Sequence, residues 1–243
     1  MIDARAIVSA EAELAANVCI GPFSIIGPQV RIGPRTVLGP RCEVHPFAVI
    51  GGAPQDRHWK GEPTAVVAGA DNIFREGVTV NAATGEGART VLGDRNFFMA
   101  YAHVAHDCVV GNNTVFANCA ALGGHVEIGD WAILGGLTAV HQFTKIGAHA
   151  FLAGGAIVTR DVPPYVMVAG NPAAPHAVNS EGLKRRGFTE EQIRNIRDAY
   201  RIVYRSDLKL AEALARLAPQ ADGRPEIRAF VDFIHASTRS LAR

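Results

Sequence analysis

No run of about eighteen consecutive apolar residues occurs anywhere in these 243 residues, so the sequence offers no transmembrane helix. The N-terminus lacks the charged, apolar and small-residue sections of a secretory signal, and a cytoplasmic protein is expected. Net charge is only +1, which gives no general electrostatic support to a nucleic-acid partner. Cysteine is sparse. Cys19, Cys42, Cys108 and Cys119 show no CxxC spacing, and disulfides are not expected in that compartment. P-loop, GxSxG and dinucleotide-binding patterns are also missing, and no cofactor is expected.

The small net charge hides an asymmetry. Residues 184–243 carry thirteen Lys/Arg against eight Asp/Glu, leaving the first 183 residues net acidic. A basic C-terminal segment suits an acidic partner or simply a solvated helical surface.

What the chain has in abundance is a six-residue period. From Ile2 it runs through Val8, Leu14, Ile20, Ile26, Ile32, Leu38, Val44 and Ile50, and it resumes from Leu92 to Val158. Four residues after each aliphatic comes a small or β-branched residue, as in Ser24, Val30, Thr36, Cys42, Ala102 and Cys108. An α-helix repeats near 3.6 and a coiled coil near 3.5. A strict six instead implies short strands with turns at Gly or Asn, three to a triangular coil, the coils stacked about 4.8 Å apart. Cys42 and Cys108 then read as small interior side chains.

Two polar, Gly/Pro-rich segments, 51–66 and 84–89, interrupt the period and are expected to leave the solenoid as loops, where function often resides. The period ends near Val162-Pro163-Pro164. Beyond residue 180 the pattern turns helical, with a capping box at Thr189–Gln192 and an apolar stripe of Ile193, Ile196, Tyr200 and Val203. Further helices are expected over about 207–217 and from Pro225. The organisation is therefore a mainly β, parallel β-helix over 1–178 and a helical domain over 179–243, which also caps the solenoid end.

Residues eighteen apart share a face, so Val104, Leu122, Val140 and Val158 form one column. His106, His125 and His141 cluster along that edge, with His103 at the preceding corner; His149 belongs elsewhere. Imidazole accepts a proton near neutral pH and suits deprotonation of a hydroxyl. Asp107, directly after His106, could orient it if a corner turns the two side chains together. Gly123-Gly124 offers exposed N–H groups for an oxyanion, or only a tight turn. A histidine-held zinc ion, as in hexapeptide-fold carbonic anhydrases, and a non-catalytic scaffold are the alternatives.

The segments AHVAHDCVVGN (102–112), GGLTAVHQFTKIGAHA (135–150), DVPPYVMVAGNPA (161–173) and NSEGLKRRGF (179–188) resemble the acyl-(acyl-carrier-protein)–UDP-N-acetylglucosamine O-acyltransferase family, over essentially the whole chain. The resemblance implies a left-handed coil, a homotrimer with sites between subunits, and transfer of a 3-hydroxyacyl group from acyl carrier protein to the 3-position of a UDP-amino sugar, the first step of lipid A synthesis. It implies His106 as general base supported by Asp107, Gly124 as oxyanion donor, and no metal. Gln55, Asp56, His103, His125, His141, Gln142, Asn179, Glu181 and Arg185 match substrate-contact positions. Lys184, Arg185 and Arg186 look like contacts to phosphates or carrier, and Gly154 matches the position that limits acyl length. The sequence departs from the family at Asn81-Ala82, where His-Arg is usual, at His58 for a lysine, and at Pro172 for a frequent histidine. Loss of those polar groups leaves open a 3-amino sugar acylated to an amide.

Overall fold

The computed structural model, which describes residues 1–237 and 239–243, consists mainly of two-residue strands six residues apart, such as His103–Val104, Val109–Val110 and Val115–Phe116. They assemble into three sheets of ten, eight and seven strands, each strand pairing with the third one along until Phe151–Leu152, which pairs with Val166–Ala169, the second along. The pairing is parallel throughout except between Val166–Ala169 and Ala174–Val178, where an antiparallel pair ends the stack. This is a left-handed parallel β-helix of triangular cross-section. Val104 lies opposite Leu122, Leu122 opposite Val140, and Val140 opposite Val158, the column expected from the period.

One residue per strand points to the axis and the other outward. The interior is continuous, with Phe74, Phe98 and Phe116 stacked on successive coils at centroid separations of 5.0 and 4.8 Å. Each is fully buried, which stabilises the fold by about 2–3 kcal/mol per ring.

The corners are not made as the glycine count suggests. The residue that turns each corner has φ near +60°, and it is mostly not glycine: Phe23, Gln29, Arg35, Arg41 and Phe47 in the first half, Asp107, His125 and Phe143 in the second. Stacking over-determines a conformation that costs an L-residue about 1–2 kcal/mol alone. The glycine two positions earlier answers to a different constraint. A Cβ on Gly33 would lie 1.7 Å from the carbonyl oxygen of Gly51 on the next coil. Between the two stands a residue whose N–H meets no backbone acceptor: proline fills that slot at 22, 28, 34, 40 and 46, whereas the N–H groups of Ala70, Asp94 and Asn112 donate to side-chain oxygens on the next coil.

The first interruption is shorter than expected and the second begins two residues earlier and ends one earlier. Strands continue through Gly52 and restart at Ala65, then run to Asn81 and restart at Arg89, so the loops are 53–64 and 82–88. Val66 is fully buried, because it takes an interior position of the coil. Register partners eighteen apart elsewhere become thirty apart at Val49 and Thr79 and twenty-four apart at Thr79 and His103. The insertions are thus two whole repeats and one, which preserves the phase. Both leave the same corner, joining the eight-stranded sheet to the seven-stranded one.

Four helices follow: α1 (Ser180–Arg185), α2 (Glu190–Tyr204), α3 (Leu210–Leu217) and α4 (Pro225–Ala236). Thr189 and Gln192 form the expected capping box, and α2 buries Ile193, Ile196, Ala199, Tyr200 and Val203. The segment after α4 returns to the solenoid, where Leu241 bridges Asp161. Among the described residues no helix is long and apolar enough to cross a membrane.

Candidate active site

The corner that releases both loops also carries the histidines. Asp107, His125 and Phe143 occupy its left-handed position on three successive coils, at φ +59°, +58° and +62°. That turn brings the Asp107 carboxylate back onto its neighbour, His106 Nδ1 lying 2.8 Å from Oδ2. A carboxylate only accepts, so Nδ1 carries the proton and Nε2 is left as the base. The His106 ring lies over Gly124 on the next coil. A Cβ there would come within 2.6 Å of Nε2, so only glycine admits the imidazole. Gly124 also sits in the slot that proline takes elsewhere, and its N–H is donated to no protein group among the described residues. A proton acceptor and a free N–H therefore stand side by side.

His125 packs edge-on to His106 at 5.3 Å between centroids and stacks face-on with Phe143 at 4.6 Å. Its Nε2 is 3.6 Å from Asp107 Oδ2, beyond hydrogen-bond range. His141 and Gln142 are exposed at the same corner one coil further on, His141 Nδ1 donating to the Gln142 carbonyl. His103 is not at a corner. It lies in the eight-stranded sheet, facing outward, with Nδ1 2.7 Å from Thr79 Oγ1. Burial, and then the neighbouring His106, push its pKa down. In the first loop Gln55 is exposed, while Asp56 accepts from the His58 N–H and ring. The His58 N–H, then its ring, hold the Asp56 carboxyl below the usual range.

The other expected contacts lie apart from this corner. Asn179 is 6% exposed; it caps α1 by accepting from the Gly182 N–H and donates to the His149 carbonyl. Its amide is committed to joining helix and solenoid. Glu181 pairs with Lys184 at 3.2 Å, whereas Arg185 is exposed and makes no ion pair among the described residues. Arg186 lies over the Trp131 ring at 5.1 Å and contacts His149. Gly154 is exposed at yet another corner, where the ten-stranded sheet meets the eight-stranded one. Asn81 and Ala82 are buried, and Asn81 Nδ2 donates to the Ala53 carbonyl at the root of the first loop. That departure alters a support beneath the site and not its open face.

His106, Asp107 and His125 are the one group of three that could approach a metal ion among the described residues, their ligand atoms within 4.8 Å. However, Thr84 and His106 donors already engage both Asp107 oxygens, an arrangement for positioning an imidazole. Thr84, two residues beyond the Asn81-Ala82 departure, carries no signal in the sequence that marks it for this contact.

Residues 161–242 match the family model described as UDP N-acetylglucosamine O-acyltransferase, domain 2. Residues 20–52 and 89–124 match that of the bacterial transferase hexapeptide. Over its full length the chain is 48% identical to an acyl-(acyl-carrier-protein)–UDP-N-acetylglucosamine O-acyltransferase of Thiobacillus denitrificans, covering 99% of that protein. The chain belongs to this family. An equally named enzyme of Stutzerimonas stutzeri is also 48% identical, with the same coverage. Among solved structures, the UDP-N-acetylglucosamine acyltransferase of Bacteroides fragilis superimposes with a TM-score of 0.87 at 36% identity, each chain covered completely. That of Francisella novicida gives 0.87 at 38%, covering 94% of its chain. Family membership makes the chain an acyltransferase, and the corner just described is where its chemistry is to be sought.

Proposed function

We propose that the chain transfers a 3-hydroxyacyl group from acyl carrier protein to the 3-hydroxyl of UDP-N-acetylglucosamine, the step that the family resemblance places first in lipid A synthesis. The observation that carries this reading is the His106–Asp107 pair, with Nε2 presented against the free N–H of Gly124. His106 Nε2 removes the hydroxyl proton as the sugar oxygen attacks the thioester carbon. The carbonyl electron pair moves to oxygen and is met by the Gly124 N–H. Collapse expels the carrier thiolate, which takes the proton back from His106, while Asp107 stabilises the transient imidazolium. Gln55, Asp56, His103, His125, His141 and Gln142 are assigned as binding groups for the two substrates. Arg185, permanently charged and without an ion pair among the described residues, suits a phosphate.

The working unit is a homotrimer. Gly154, which we assign to limiting acyl length, occupies a different corner from His106, so one acyl chain reaches both along the stack only if two subunits meet. The Gly154 corner also carries Phe47, Tyr101 and Leu137, 64%, 69% and 69% exposed. Such a ridge is expected at an interface. A sedimentation mass of one chain at assay concentration would contradict this arrangement.

Offering a 3-hydroxyacyl carrier thioester with UDP-N-acetylglucosamine and with its 3-amino analogue tests the reaction. Ester formation with the first is expected. Exclusive amide formation with the second would transfer the assignment to the amine.

A further inference from the structure

Asp107 departs from the pattern of its corner. The left-handed residues stacked above it donate their N–H to a backbone carbonyl one coil below, His125 to His106 and Phe143 to Gly124. Below Asp107 the coil is interrupted by loop 82–88, and its N–H goes instead to Thr90 Oγ1 at 2.9 Å. The carboxylate is held by the other end of the same loop. Thr84 donates its hydroxyl to Oδ2 at 2.6 Å, and its N–H lies 3.0 and 3.2 Å from the two oxygens. Asp107 is thus gripped from both sides of the insertion, its N–H by Thr90 in the strand that follows the loop and its carboxylate by Thr84 within it.

We propose that Thr84 is a positioning residue for the transfer reaction: its hydroxyl fixes the Asp107 carboxylate in the rotamer that orients His106, and the second insertion exists to bring it there. This rests on the reading of His106 and Asp107 given above. The case is geometric. The left-handed turn swings Asp107 towards His106, but it leaves the side-chain rotamer open, and a staggered alternative would carry the carboxylate away, so an external hold is needed. His125, on the coil above, is too distant from the carboxylate to supply it. Thr84 is the only side chain besides His106 that donates to this carboxylate among the described residues. Thr84 touches neither His106 nor Gly124 by hydrogen bond, so its effect passes through Asp107.

The test uses the full chain in steady-state acyl transfer. Thr84→Val keeps the shape and the N–H but removes the hydroxyl; Thr84→Ser restores a hydroxyl without the methyl. Loss of a short, charge-assisted bond should lower kcat about tenfold to a hundredfold while KM for the sugar stays within about twofold. Serine should recover most of the rate. In an Asp107→Asn background, Thr84→Val should add little, because both changes act on one contact. Valine within twofold of wild type, serine as impaired as valine, or losses that multiply fully in the double variant would each overturn the proposal. If valine does not fold, serine alone and in the Asp107→Asn background still decides it, by retained kcat or its loss. An Asp107→Asn variant of full activity would instead overturn the underlying reading of the pair.

Discussion

Replacing Gly154 by methionine should shorten the preferred acyl chain by about four carbons, without unfolding the protein. Two features of the structure bear on this. The left-handed residue of that corner is Gly155, at φ +71°, whereas Gly154 lies outside that region. A Cβ on Gly154 would find its nearest neighbour, the carbonyl oxygen of Gly136, at 3.4 Å, which is ordinary contact. Methionine therefore enters without backbone strain, and its side chain extends into the space beyond the corner. It reaches about 5 Å from Cα, and a staggered acyl chain advances about 1.25 Å per methylene, hence the figure of four. Glycine itself leaves room for a long chain, about 12 to 14 carbons by the family resemblance. A competition among carrier thioesters of graded length reads the effect directly. A lower rate at every length with the ranking unchanged would refute the placement of the acyl end at this corner.

Other outcomes follow from the fold. Phe98→Ala should destabilise the solenoid by about 3–5 kcal/mol, because the ring is fully buried between Phe74 and Phe116 and the stacked coils cannot close the cavity; denaturant titration measures it, and a loss under about 1 kcal/mol would contradict the packing. Burial first, then the Arg186 charge, push His149 down to about 4. Its unfolded value lies near 6.5, so the unfolded chain binds the proton more readily, and stability is present above about pH 6.5 and lost as pH falls towards 4. His149→Phe should flatten that acid limb in melting measured against pH; an unchanged slope would show that the imidazole titrates freely.

Much of this architecture is legible in the sequence because the interior imposes one aliphatic residue on every strand. Insertions of whole repeats leave that phase intact, so the period resumes at Leu92 as if uninterrupted. The histidine column follows from the same counting. The hydrogen-bond partners do not. Asn179 matches a substrate-contact motif in the sequence, and only the fold shows that its side chain caps α1. Thr84 looks like one polar residue in a short Gly-rich loop, and its importance depends on where the loop returns. The glycines of the repeats suggest turns, but the coils above them are what exclude a side chain.

The central claim is that His106 removes the acceptor proton. His106→Ala, assayed with a 3-hydroxyacyl carrier thioester and UDP-N-acetylglucosamine, should lose about 10² to 10⁴ of the rate, with the melting temperature nearly unchanged because the ring packs at a partly exposed corner. Transfer within tenfold of wild type would contradict the account.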